Sequence, residues 1–169
     1  ITENLRWRNT VLMIASVFFY AWGEPLFVFV MLSMVFLNWF LARSISKAKS
    51  KKSKKALATI SISVDILVFF LFKYLNFFIE TINTVIPTSV STLNIIVPLG
   101  ISFFTFQQIA YSVDVYRGEI EKRNFLDYLC FSFLFITISS GPIIYYNEII
   151  PQLDDEKNHS VNYENMYRG

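Results

Sequence analysis

The chain has 169 residues, of which 54% are hydrophobic and 30 are Phe, Tyr or Trp, with a mean hydropathy of +0.44 and a net charge of only +2. That composition excludes an ordinary water-soluble globular domain, and the near-neutral balance gives nucleic-acid binding no support. Cys130 is the only cysteine, which excludes an intrachain disulfide and a cysteine-ligated metal centre.

The sequence opens on Ile1, and its first methionine, Met13, lies inside an apolar run, so we expect a piece of a longer chain whose natural start is missing. Thr10 to Trp22 is apolar, Gly23-Glu24-Pro25 interrupts it, and Leu26 to Ala42 continues. Glycine, a residue before proline, then proline is a stop and restart, which predicts a tight hairpin of two membrane helices, the first extended through Leu5 to Asn9. Tyr20, Trp22 and Trp39 take the positions expected of interfacial aromatics.

Arg43 to Lys55 holds seven basic residues and no acid, the pattern of a cytoplasmic loop under the positive-inside rule. Aromatics are not interleaved with these charges, as a nucleic-acid surface would need. Ala56 to Ile79 reads as the third span and carries Asp65 and Lys73. Lys73 is near enough to the outer end to snorkel, whereas Asp65 sits deeper and calls for a partner on another helix or a lining position. Glu80 to Asn94, rich in Asn, Ser and Thr and free of Lys and Arg, reads as an outer loop.

The most informative stretch is Val97 to Gly118, VPLGISFFTFQQIAYSVDVYRG. A helix from Leu99 to Tyr116 covers most of a hydrocarbon layer about 30 Å thick. At 100° per residue, Gln107, Gln108, Tyr111 and Asp114 share one arc, and Phe106, Ile109, Ala110 and Val113 fall opposite. A carboxylate or carboxamide facing lipid costs several kcal/mol, so the polar arc must face protein or a water-filled cavity. Such groups either line a path or bind helices together. Gln107 and Tyr111 are the deeper lining candidates. Asp114 and Arg117 mark the cytoplasmic mouth, as donor-binding groups or as an ion pair anchoring the helix end.

Leu126 to Ile138 is a further apolar run, ending at Ser139-Ser140-Gly141-Pro142 and read either as a crossing or as a broken or re-entrant helix. A polar, acidic tail follows from Asp154, and its His159 is read as a solvated side chain. With Arg43-Lys55 inside, Arg6, Arg8 and Arg117-Arg123 fall on the same cytoplasmic side and the Gly23 turn and Glu80 to Asn94 outside. The fold class expected is therefore an all-α, polytopic integral-membrane helical bundle with about five membrane helices.

The strings SVFFYAWGEP (Ser16 to Pro25), PLGISFFTFQQIAYSVDVYRGE (Pro98 to Glu119), RNFLDYLCF (Arg123 to Phe131) and SGPIIYYNEIIPQL (Ser140 to Leu153) resemble the membrane-bound O-acyltransferase family. They are most similar to its branch containing the membrane subunit of alginate O-acetyltransferase, and the resemblance runs through essentially the whole chain. It implies that residues 1–169 are the amino-terminal part of such a transmembrane domain. The implied enzyme moves an acyl group from a cytoplasmic donor, acetyl-CoA or a carrier thioester, through the bilayer. The acceptor implied is a hydroxyl of an exported polysaccharide, reached with an extracytoplasmic partner acyltransferase, and no bound cofactor, metal or nucleic acid is implied. The family's catalytic histidine lies in a later part of a longer chain, so no catalytic residue is carried over to this one. The reading from a different class is a non-enzymatic transporter or scaffold fragment, in which the same arc lines another path or glues helices.

Overall fold

Two helices joined by a three-residue corner open the chain: α1 (Thr2–Gly23) and α2 (Phe27–Lys47). The computed structural model describes residues 2–86, 90–93, 95–120, 124–134, 144–154 and 167, with side chains from residue 7 onward. Pro25 has no N–H to continue α1, yet Glu24 N–H still bonds the Tyr20 carbonyl at 2.8 Å and Val28 N–H the Glu24 carbonyl at 3.1 Å. The expected hairpin boundary is where the sequence put it.

The basic stretch Arg43 to Lys55 departs from the expected loop. Helix α2 runs to Lys47 and α3 (Lys51–Lys73) begins after three residues, with the Ser50 hydroxyl accepting the Ser53 N–H. A side-chain cap and good helix formers let both helices extend into the charged segment.

The third expected span, Ala56 to Ile79, is likewise two elements. Helix α3 ends at Lys73, Tyr74 adopts φ −120° and ψ −10°, and α4 (Leu75–Val85) starts immediately. Neither proline nor glycine marks this break. The corner is held instead by Lys73, whose Nζ donates to Ser102 Oγ at 3.0 Å and lies over the Phe69 and Tyr74 rings. Glu80 to Val85, expected in a loop, is helical. The amides of Asn76 and Asn83, one face of α4, each make a reciprocal pair of hydrogen bonds to backbone, at Leu93 and Val90 respectively. They fasten the returning chain to α4, which is why Asn83, in the stretch expected as a loop, sits within a helix.

Helix α5 (Ile101–Arg117) is bounded by glycines in the left-handed region, Gly100 at φ 75° and Gly118 at φ 82°. After Arg117, Gly118 N–H bonds the Val115 carbonyl and Glu119 N–H the Asp114 carbonyl, the paired bonds of a Schellman stop. Helix α6 (Phe125–Phe133) is capped by the Asn124 side chain, and α7 (Tyr146–Asp154) follows. Gly141-Pro142 and His159, along with the question of a re-entrant path there, lie outside the described residues.

Helix α3 packs on α5 and α2, α2 also packs on α5, and α1 packs on α6, which contacts α7. All regular elements among the described residues are helical. Two of them, α2 and α3, are long and apolar enough to cross a membrane. Of their most apolar stretches, 39% and 17% are buried. Tyr20, expected at an interface, is instead buried, with its hydroxyl donating to the Leu99 carbonyl at 3.2 Å. Trp22 is 81% exposed.

Candidate functional site: a buried polar seam and a basic mouth

Three helices converge on polar side chains. Asn38 in α2 donates from Nδ2 to Asp65 Oδ1 in α3 at 2.6 Å, and Ser61 Oγ donates to Asn38 Oδ1 at 2.6 Å. Ser61 also meets Ser112 of α5, with 2.9 Å between the hydroxyl oxygens. All four side chains are sealed from solvent. The second carboxyl oxygen of Asp65, also buried, has no hydrogen-bond partner among the described residues. Asp65 thus finds the partner on another helix that its depth required, and the partner is an amide.

On α5 the expected arc is buried as a set: Gln107, Gln108, Tyr111 and Asp114, joined by Thr105 and Ser112. Phe106, opposite, is 53% exposed. Gln107 Nε2 donates to the Phe131 carbonyl at 2.9 Å, one of the last carbonyls of α6, which have no partner within their own helix. Gln108 Nε2 donates to Ser132 Oγ at 3.1 Å, and its Oε1 accepts the Tyr128 hydroxyl. Tyr111 stacks on Tyr128, with ring centroids 4.2 Å apart, and packs against Phe131 and Tyr146. Of the two roles open to Gln107 and Gln108, the described contacts are those of interhelical binding to α6.

At the end of α5 the pair Asp114 and Arg117 is divided. Asp114 is buried, whereas Arg117 points outward and lies 3.9 Å from Glu119. The ion pair at this helix end is thus with Glu119; both partners are largely exposed, and such pairs contribute little. Arg117 and Tyr116 instead line a wide-open cavity of about 530 Å³ with Lys49, Lys51 and Lys54. Arg117 and three lysines of the Arg43 to Lys55 run, more than sixty positions apart in sequence, therefore line the same depression. At the other end, Tyr20, Leu99, Lys73 and Ser102 are joined by the hydrogen bonds given above, so the start of α5 meets the ends of α1 and α3.

Sequence reasoning singled out Asp65 but missed Asn38, Ser61 and Ser112. The available signal was a lone amide in the apolar run of α2 and the four-residue spacing of Ser61 and Asp65, which places both on one face of α3.

Comparison with known proteins bears on what this arrangement serves. The chain is 30% identical to a peptidoglycan O-acetyltransferase of Helicobacter pylori over 94% of its own length and 35% of the relative's. It is 30% identical to a "Probable alginate O-acetylase AlgI" of Pseudomonas aeruginosa over 92% of its length, and 30% identical to the protein of that name in Azotobacter vinelandii over 88%. The chain is a homologue of these O-acetylating enzymes. The resemblance read from its motifs, to the alginate branch of the membrane-bound O-acyltransferases, stands on these matches. It spans about a third of the length of the O-acetyltransferases it matches, covering 35% and 31% of the first two. No family model and no solved structure matches it.

Proposed function

We propose that the chain is the amino-terminal part of a multi-pass membrane O-acyltransferase that delivers an acetyl group from a cytoplasmic thioester donor to hydroxyls of an exported polysaccharide. The observation that carries the membrane placement is the inverted burial of α3 and α5. On α3 the buried residues are Ala58, Ser61 and Asp65, while Ile60, Ile66 and Leu67 face outward. Water would impose the opposite arrangement; hydrocarbon favours this one, in which polar groups lie between helices and apolar side chains face outward. The meeting of Arg117 with Lys49, Lys51 and Lys54 at one end supports the charge-based topology, in which Arg43-Lys55 and Arg117-Arg123 are cytoplasmic.

The chemistry follows from the homology. Acyl transfer from a thioester breaks the carbon–sulfur bond, forms an ester to the acceptor oxygen, and moves the hydroxyl proton to the departing sulfur. Its base, a histidine in the family resembled, is expected beyond Gly169. Peptidoglycan and alginate, named for the relatives, share sugar hydroxyls as acceptors. The role proposed for this chain is structural support of the path: Gln107 and Gln108 hold α6 against α5, Tyr111 and Asp114 form the wall, and Arg117 sits at the mouth. An extracytoplasmic partner acyltransferase would complete delivery outside.

Two measurements test this. Deleting the gene should lower ester-linked acetate in the purified cell-surface polymer, with restoration by the wild-type copy; unchanged ester content would refute the acyltransferase reading. Single cysteines introduced at Lys52 and Thr84, in a Cys130→Ser background, should react with impermeant maleimide from opposite sides of the membrane. Reaction from one side only would refute the topology.

A further inference from the structure

We propose that the cavity between the α2–α3 corner and the end of α5 is a binding site for a phosphate ester carrying net negative charge. Its walls are Lys49, Lys51, Lys54, Tyr116 and Arg117, drawn from two helix ends. The side chains of Lys49, Lys51 and Lys54 have no ion-pair or hydrogen-bond partner among the described residues, and the carboxylates near Arg117 there are the exposed Glu119 at 3.9 Å and the buried Asp114. Four cations against these two carboxylates leave an excess of positive charge that a bound anion would offset. Lys54 is half-buried and shares a face with Ala58, Ser61 and Asp65, which sets the cavity directly over the polar seam between α3 and α5. Tyr116 contributes an amphipathic wall of the kind found at headgroup level.

Two ligands have this chemistry: an anionic phospholipid headgroup, held as basic pockets between membrane helices hold them, and the phosphates of a soluble thioester donor. The inference rests on the membrane placement above but not on acyl transfer. Unchanged polymer acetylation would sink the enzyme and leave saturable phosphate binding standing.

The alternative is a solvated, non-specific positive patch, and Lys52 and Lys55 provide the control, because they belong to the same basic run but do not line the cavity. The test uses the purified intact protein in neutral detergent, titrated with short-chain phosphatidylglycerol and, separately, with coenzyme A. Lys51→Gln/Lys54→Gln should weaken saturable binding by roughly 25-fold, about fivefold per cation removed. Lys52→Gln/Lys55→Gln should change it by less than about threefold, and Lys51→Arg/Lys54→Arg should retain it. Phosphatidylglycerol binding that coenzyme A does not displace identifies the lipid source; saturable coenzyme A binding with phosphatidylglycerol at background identifies the donor. Equal losses in the two glutamine pairs, or no saturable binding of either probe, would overturn the site.

Discussion

Replacing Asn38 with leucine isolates the strongest polar contact of the helix seam. The side chains are similar in size, so the change acts mainly through hydrogen bonds. Leucine removes both bonds of Asn38, to Asp65 at 2.6 Å and from Ser61 at 2.6 Å. Ser61 is left with Ser112 at 2.9 Å and remains satisfied. Asp65 is not: its other oxygen already lacks a partner among the described residues, so the whole carboxyl becomes buried and unpartnered. Neutral hydrogen bonds between membrane helices average about 0.6 kcal/mol, whereas leaving a buried carboxyl without its hydrogen-bond partner costs about 1 to 3 kcal/mol, and more if it is charged. We expect Asn38→Leu to destabilise by about 3 kcal/mol, against about 0.6 kcal/mol for Ser112→Ala. Asn38→Leu/Asp65→Leu removes the stranded group and should cost less than Asn38→Leu alone, giving a coupling of about 2 kcal/mol. Reversible denaturant unfolding of the purified protein in mixed micelles measures all three. An Asn38→Leu cost no larger than that of Ser112→Ala, or a double variant equal to the sum of its parts, would refute the reasoning.

Gly118→Ala forces a side chain into φ 82° at the α5 stop, where a Cβ meets no steric obstacle, so backbone strain alone should lower stability by about 1 kcal/mol in the same unfolding assay. Cys130 is buried, with its Sγ donating to the Asn9 carbonyl at 3.3 Å across the α1–α6 contact. It should resist maleimide in the folded protein and react fully once denatured; rapid labelling of the native state would contradict the packing of α6 on α1.

The sequence was most legible where one physical rule acts locally. Gly23-Glu24-Pro25 ends a helix through a missing N–H, and the corner between α1 and α2 falls there. The arc of α5 follows from 3.6-residue periodicity, and each of its four polar members is buried. It was least legible at Tyr74, where the break in the third span carries no proline or glycine and is held by Lys73 reaching Ser102, twenty-nine positions away. Asn83 misled for the same reason: it read as a loop former because the backbone it binds, at Val90, is brought to it by the fold.

What the sequence determined by itself is the all-helical character, with two helices long and apolar enough to cross a membrane, a polar face on α5 and the motifs shared with O-acetylating enzymes. Those are properties of composition and of spacing along one chain, which hydrophobicity and helical period act on directly. Which polar groups pair was decided only by the tertiary structure. Asp65 meets Asn38, Gln107 meets the Phe131 carbonyl, and Arg117 shares a cavity with Lys49, Lys51 and Lys54. Periodicity states which way a side chain points from its own helix, but the partner depends on how that helix packs against others, and packing is a property of whole surfaces.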